Sequence, residues 1–324
     1  MYRSNEGAVK AAVWLQWRTL LVLGIDENGL GPRLGPLVAT GVVLEVAAYD
    51  ARALARRGAR AGIGDSKATA GFGRMAAAES VSLALAERAI SRVPETVDEL
   101  LAAIAVDGAE ALRAPCPAST AAQCWSEVLP LPVFGGDVAE GRKALAKLAR
   151  AGVEVRRARS AIACARAFNE GVDRWGSKLR VDLALFESLM RDARASLATD
   201  LHVICGMVGG VRKYREHFTS MSVERLETLE ESRHACRYRV AELGEVHFEV
   251  DSDAGHLPVA LASMLGKYVR ELGMHRQNAF YRRHDPGLPD VSGYHDPVTG
   301  EFVQATRGLR RKLGIEDRCF ERES

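Results

Sequence analysis

The sequence has no apolar run near the ~20 residues that a helix needs to cross a bilayer, so we expect no membrane partner. The longest apolar stretch before the first predicted strand is short, and no small-residue cleavage site follows it, which argues against a signal peptide. Its six cysteines lie far apart, without a CxxC pair, which is typical of reduced thiols and makes a zinc site improbable. We therefore expect a cytoplasmic protein.

Neither sign of charge is in large excess, because the sequence contains 44 basic and 42 acidic residues and has a formal charge of +2. No global field therefore indicates a nucleic-acid partner. Lysine is scarce: 8 of the 44 basic residues are lysine and the other 36 are arginine. Arginine suits phosphate contacts, but genome composition explains its abundance equally well, so the count alone indicates no ligand.

The hydrophobic content of 47% excludes general disorder, and 324 residues suffice for one large domain or two smaller ones. Nearly unbroken apolar runs alternate with segments of helical periodicity, which predicts an α/β fold with a mixed sheet. The predicted strands are 19–25, 37–44, 201–205 and 246–250, and the predicted helices are 74–92, 181–196 and 257–272. The first two strands are joined by a short turn, which favours an antiparallel pair.

Carboxylates follow two of these apolar strands, Asp26 and Glu27 after the first and Asp251 and Asp253 after the last. Acids at buried strand ends are unfavourable unless they are paired, hydrogen-bonded or bound to metal. Convergent carboxylates are ligands for Mg²⁺ or Mn²⁺ in phosphoryl chemistry. Two structural interpretations stay open, since Asp253 precedes a helix and suits an N-cap, and Asp26 suits the start of a turn.

The segment 24–36 is rich in glycine, which allows tight turns and close backbone approach. It is not a dinucleotide-binding fingerprint, because acids inside it would repel a pyrophosphate. It is not a P-loop either, because no Gly-Lys-Ser/Thr sequence closes it.

Four ordered motifs resemble those of ribonuclease HII, the type 2 ribonuclease H family. The segment 24–36 resembles the family's Gly-Ile-Asp-Glu-Ala-Gly-Arg-Gly-Pro, and residues 65–67 match its Asp-Ser-Lys motif. Residues 253–267 are similar to the family helix that begins Asp-Ala and ends Ala-Ala-Ser-Ile-Leu-Ala-Lys. Residues 292–295 resemble the Gly-Tyr element that follows.

The resemblance implies an RNase H-like fold and an endonuclease that hydrolyses the RNA strand of RNA/DNA hybrids. Two Mg²⁺ or Mn²⁺ ions would be held by Asp26, Glu27, Asp253 and one further aspartate on a central strand. The resemblance also implies a set of substrate-binding residues that contact the ribose 2′-hydroxyl, a phosphate and the sugar beside the cut. These residues are Gly29, Leu30 and Gly31 in the glycine turn, Ser66 and Lys67 in the second motif, and Tyr294.

The sequence departs from the family in two places. Leu30 stands where the family has arginine, so a phosphate contact is lost. The central-strand aspartate is also missing, because the positions where it is expected hold Cys205 and Gly206. A thiolate suits Mg²⁺ poorly. Asp251 either fills the gap from a neighbouring strand or is a solvated acid at a strand end.

The resemblance predicts an RNase H-like catalytic domain over 19–272, preceded by a segment 1–18 and followed by an extension 273–324. Insertions lie near 93–150 and 213–245. Because one carboxylate is missing, an alternative function stays open: a weakened relative that binds hybrids, or a protein partner, without efficient cleavage. A nuclease of the same fold with another substrate is a third hypothesis.

Overall fold

The computed structural model describes residues 19–63, 74–116, 123, 125–197, 199–208, 211–221 and 225–323. Seven strands in this part of the chain form one mixed sheet. Their bounds are β1 Leu20–Asn28, β2 Leu37–Val46, β3 Val153–Ala163, β4 Leu201–Gly206, β5 Leu226–Glu231, β6 Ala235–Val240 and β7 Gly244–Glu249. The strand order across the sheet is β3-β2-β1-β4-β7-β6-β5.

Strand directions place several strand ends at one edge of the sheet. β1 is antiparallel to β2 and parallel to β4, and β4 is parallel to β7. The carboxyl ends of β1, β4 and β7 therefore lie side by side. In open α/β sheets, binding sites gather at such an edge.

Helices cover both faces of the sheet. Two of them matter most for the site, α7 on one face and α9 on the other. The helices are α1 Ala51–Arg60, α2 Ala76–Ile90, α3 Val97–Ile104, α4 Gly108–Arg113, α5 Val138–Arg150, α6 Ala165–Trp175, α7 Lys178–Ser196, α8 Ser252–Gly255, α9 Leu257–His284, α10 Pro297–Ala305 and α11 Arg307–Leu313.

Side-chain alternation along β1 divides the core between the two faces. Val22 packs in the cluster that contains the α9 residues, whereas Leu23 and Ile25 pack in the cluster that contains the α7 residues. Because successive strand side chains point to opposite faces, the two residues that follow Ile25 must also face opposite sides.

The helix α9 approaches β1 closely at Gly24. A Cβ atom at this position would lie 2.3 Å from the carbonyl carbon of Pro258 and 2.4 Å from the nitrogen of Val259. No larger residue fits there without moving the helix. The first glycine of the segment 24–36 therefore sets the distance between β1 and α9.

The structure agrees with every predicted strand and helix and extends several of them. The helix predicted over 257–272 continues to His284, because Gly273 does not end it. Gly273 instead packs against Pro36, whose Cγ would lie 2.8 Å from an added Cβ. The helix thus crosses the predicted boundary at 272/273, and the extension 273–324 is helical in its first part, to His284.

The two predicted insertions build different parts of the molecule. The insertion near 93–150 contains α3, α4 and α5 among its described residues. The insertion near 213–245 contains β5 and β6, which extend the sheet beyond β7. The segment 1–18 lies outside the described residues.

Two further expectations concern membranes and cysteines. No helix in the described ranges combines the length and the apolar character needed to span a membrane. Five of the six cysteines fall in these ranges, and all five are free thiols.

A buried carboxylate on α2 connects the insertion near 93–150 to α2 and α9 through hydrogen bonds. Glu79 of α2 is fully buried and accepts hydrogen bonds from the backbone N–H groups of Val133, Phe134 and Gly136, at 2.7, 2.8 and 2.8 Å. The hydroxyl of Tyr268 on α9 also donates to Glu79, at 3.1 Å. The carboxylate thus joins three parts of the chain.

We predict that Glu79→Gln lowers the free energy of unfolding by about 1–3 kcal/mol, because an amide NH₂ would face a backbone N–H in a buried place. Glu140→Gln is the control, since Glu140 forms an exposed pair with Lys143. Urea denaturation of both variants measures the difference. Equal stabilities for the two variants would contradict the prediction.

Candidate metal centre

Asp26 and Glu27 lie in the last three residues of β1 and point to opposite faces of the sheet. Asp26 faces α9, where Ser263 hydrogen-bonds its carboxylate and the charge of Lys267 acts on it. Glu27 faces α7, where Asp182 is the charge that acts on it most strongly. The two adjacent acids therefore connect the two layers of helices at the sheet edge.

Burial raises the pKa of Asp26 to about 7, and the negative charge of Asp253 adds to the increase. The Ser263 hydrogen bond and Lys267 act in the opposite direction but do not compensate for the burial. Near neutral pH, Asp26 therefore carries a proton in part of the molecules unless a cation replaces it.

Burial also raises the pKa of Glu27 well above its usual range, and the charges of Asp182, Asp26 and Asp253 add to this effect. The Oε2 atom of Glu27 is buried and has no hydrogen-bond partner among the described residues. A buried carboxylate oxygen without a partner is unfavourable, and a proton or a bound cation would each relieve it.

Asp253 lies in α8, directly after β7. The structure brings it close enough to Asp26 and Glu27 for its charge to raise the pKa of both. The three acids that the sequence analysis selected therefore lie together at one edge of the sheet. Asp253 is in the first turn of α8, and the N-cap position of that helix is taken by Asp251.

Cys205 and Gly206 are the two positions where the fourth carboxylate was expected, and they lie differently with respect to the acids. A Cβ atom on Gly206 would lie 2.8 Å from Oδ1 of Asp26 and 3.6 Å from Oε2 of Glu27. The side chain of Cys205 instead points to the opposite face, in the apolar cluster beside α7. The φ of Gly206 lies outside the left-handed region, so this backbone does not require glycine.

The structure adds one acid that the sequence analysis missed. Asp182 of α7 is fully buried, and neither of its carboxylate oxygens has a hydrogen-bond partner among the described residues. Burial raises its pKa well above the usual range, and the charge of Asp26 raises it further. The sequence analysis considered acids at strand ends only, whereas the signal was an acid on the apolar face of a helix.

Asp251 does not take the place of the missing acid. It is exposed and has a φ of 51° at the turn between β7 and α8. Of the two interpretations that the sequence left open, a solvated acid at a strand end therefore describes its position.

The glycine turn lies beside the acids. Gly29 has a φ of 94°, and an added Cβ would lie 2.8 Å from Nε of Arg270. The guanidinium of Arg270 lies 4.8 Å from the ring centre of Tyr294, whose surface is 50% exposed. Arg270 therefore connects the turn with the only tyrosine among the predicted site residues.

The remaining predicted substrate residues differ in their surroundings. Leu30 is partly buried and packs against the apolar clusters beside α6 and α7, and Gly31 is exposed with open space around it. Arg322 donates a hydrogen bond of 2.5 Å to the carbonyl oxygen of Gly29 and a second one to that of Pro32. Ser66 and Lys67 lie outside the described residues.

A second group of possible ligands lies on an uncovered part of the sheet. Ligand atoms of His202, Glu245 and His247 all lie within 4.8 Å of one another. The sequence gave no sign of this group, because its members come from two strands, β4 and β7. Nitrogen ligands distinguish it from the all-oxygen acids at the sheet edge.

The chain is similar to solved structures of type 2 ribonucleases H. The ribonuclease HII of Archaeoglobus fulgidus, solved with PCNA, shares 16% identity over 93% of both chains, with a TM-score of 0.43. The ribonuclease H2 of Pyrococcus horikoshii shares 16% identity over 93% of this chain and 92% of that chain, with a TM-score of 0.44. A Bst-RNase HIII structure with Mn²⁺ shares 16% identity over 98% of this chain and 72% of that chain, with a TM-score of 0.44.

No protein-family model matches the sequence, and no curated protein matches it. Identities and TM-scores as low as these give no information about activity. The mixed sheet between two layers of helices confirms the predicted α/β class. The similar structures carry the name of the family whose motifs the sequence resembles.

We predict that the metal-free protein loses stability as the pH rises from about 5 to 8, and that Asp26→Asn reduces this loss. The folded state holds the Asp26 proton up to a pH of about 7, whereas the unfolded chain releases it near 3.8. The stabilising contribution of this proton is therefore lost as the pH rises through that interval. The difference between parent and variant should be on the order of 2 kcal/mol.

Chemical denaturation in EDTA at the two ends of this pH range measures the loss of stability in the parent and in Asp26→Asn. The comparison between the two proteins removes the contributions of other titrating groups. A parent and a variant with the same pH dependence would contradict the raised pKa of Asp26.

Proposed function

We propose that the chain is a divalent-metal-dependent endonuclease that hydrolyses the RNA strand of RNA/DNA hybrids. One observation carries the proposal: Asp26, Glu27 and Asp253 lie near one another at the sheet edge, where the charge of Asp253 raises the pKa of Asp26 and the charges of Asp26 and Asp253 raise that of Glu27. Carboxylates in such an arrangement need protons or a cation to balance their charge. Their all-oxygen ligand set suits Mg²⁺ or Mn²⁺.

The acids are oxygen ligands of the kind such a cation prefers, but among the described residues no three of them hold ligand atoms within 4.8 Å of one another, so a bound cation would have to draw the carboxylates together. Glu27 offers a buried Oε2 atom that has no donor among the described residues, and Asp26 and Asp253 supply further carboxylate oxygens. A divalent cation bound there would stabilise negative charge on a phosphodiester and lower the pKa of an attacking water. Ser263 and Lys267 lower the pKa of Asp26, and this favours the ionised form that binds cations.

Recognition of RNA is proposed for the glycine turn. The exposed Gly31 presents backbone without a covering side chain, and the neighbouring ring of Tyr294 is half exposed. Backbone groups that contact a ribose 2′-hydroxyl distinguish RNA from DNA without reading the base. The guanidinium of Arg270 lies over the ring of Tyr294, and Arg322 donates a hydrogen bond to the carbonyl oxygen of Gly29. These contacts fix the positions of Tyr294 and of the glycine turn.

A second candidate function is favoured by Gly206. This residue leaves the sheet edge without the expected carboxylate, and the loss of one ligand weakens a two-metal site. A protein with a weakened site would bind hybrids, or a protein partner, without efficient cleavage. Leu30 also removes a phosphate contact that the family motif provides.

We predict that the protein cleaves a labelled RNA/DNA hybrid in Mg²⁺ or Mn²⁺ and that Asp26→Asn abolishes the cleavage without unfolding the protein, because the change removes a ligand charge and keeps the shape. Glu140→Gln serves as the control for a lost surface charge. A DNA duplex cut as fast as the hybrid, or an active Asp26→Asn variant, would refute the proposed function.

Gly206→Asp separates the two candidates. In a protein that lacks a ligand, the new carboxylate should raise cleavage in Mg²⁺ tenfold or more. In a protein whose site is already complete it should give no gain. We expect no gain, because the buried Asp182 already faces Glu27.

Gly206→Ala is the matched control, since it adds the same Cβ beside Asp26 without the charge. Circular dichroism and a melting curve must accompany both rates. A weak parent that Gly206→Asp restores would move the second candidate ahead of the first.

A further inference from the structure

We infer that Asp182 supplies the carboxylate that β4 lacks, so that a helix rather than a strand completes the metal site. The inference rests on the proposed metal dependence and deepens it. It concerns the side of the site next to α7, where Asp182 is the charge that acts most strongly on Glu27.

The burial of the Asp182 carboxylate is not explained by an ordinary structural role in a helix. It lies in the first turns of α7, directly before Leu183, which packs in the core with no exposed surface. An acid at this position is fully removed from water, yet neither carboxylate oxygen accepts a hydrogen bond from the described residues. An ionised carboxylate in this condition is unfavourable by several kcal/mol unless a cation compensates.

The groups around Asp182 point to the acid site rather than to a structural ion pair. Asp182 is the charge that most strongly raises the pKa of Glu27, and Asp26 is the charge that raises the pKa of Asp182. The buried thiol of Cys205 also has a raised pKa, with Asp182 and Glu27 as the leading charges. Asp182 is therefore placed among acids and a thiol.

A shared cation accounts for all the orphaned oxygens at once. Oε2 of Glu27 and both carboxylate oxygens of Asp182 are buried, have no partner in the described part of the chain, and belong to two acids that repel each other. Oxygen atoms of this kind are ligands of Mg²⁺ and Mn²⁺. Cys205 does not suit the same role, because a thiol is a poor ligand for these ions.

A protonated Asp182 is the competing explanation. In that state the carboxyl group would be a neutral packing residue with no part in metal binding. The two explanations predict different metal affinities for a variant that lacks the charge of Asp182. This difference can be measured without a cleavage assay.

The test is isothermal titration of the full-length metal-free protein with MgCl₂ and with MnCl₂, together with the shift of the melting temperature that each ion causes. Asp182→Asn keeps the shape and removes the charge. We expect it to fold, to melt at a higher temperature than the parent in EDTA, and to bind Mn²⁺ at least tenfold more weakly. Asp182→Ala is the second variant, so that the result does not depend on one substitution.

Two controls separate metal binding from general effects. Glu187→Gln changes another buried acid of α7, which hydrogen-bonds Thr219 and Ser220 and lies away from the sheet edge, so it should lower stability and leave the metal affinity unchanged. The double variant His202→Ala, His247→Ala removes the other group of possible ligands, and should leave Mg²⁺ binding unchanged.

Each result decides between the proposals. A parent that binds neither ion overturns both the inference and the metal dependence of the proposed function. A parent that binds, with Asp182→Asn or Asp182→Ala folded and equally tight, overturns the inference alone. A loss of tenfold or more in a folded variant, with Glu187→Gln unaffected, supports the inference.

Discussion

The desolvation of carboxylates at one sheet edge is the constraint on which this molecule depends. Asp26, Glu27 and Asp182 are all removed from water far enough that burial is the largest cause of their raised pKa values. At Asp26 this effect is opposed by the Ser263 hydrogen bond, by the charge of Lys267 and by a hydrogen bond from the backbone of Glu27. Folding brings these acids together without providing equal positive charge, so they retain protons to a higher pH than exposed carboxylates do.

The rest of the fold keeps these acids in place. β1 lies between β2 and β4, so its end cannot move without disturbing the centre of the sheet. Gly24 lets α9 approach until Ser263 reaches Asp26, and Arg322 holds the glycine turn from the far end of the chain. The C-terminal residues are therefore part of the architecture around the site, although the sequence analysis treated 273–324 as an extension.

The sequence predicted what depends on local pattern. Apolar runs that end on acids identified β1 and its pair Asp26 and Glu27, and the predicted antiparallel pairing of the first two strands is confirmed. It did not predict what depends on packing between distant segments. The helix predicted over 257–272 continues beyond residue 272, and the contact of Gly273 with Pro36 has no local signature. Asp182 was missed for the same reason, since its importance comes from the strand it faces.

The two faces of the sheet contribute differently to the acid site. Asp26 is linked to α9 by the hydrogen bond with Ser263, whereas Glu27 is next to α7, where the charge of Asp182 acts on it. A cation that contacts both acids would therefore join the two helical layers through the end of β1. Any ion that binds only the folded state stabilises it, so such an ion would strengthen the packing of both layers. Under the proposed assignment of Asp182, such an ion would connect α7 to the end of β1.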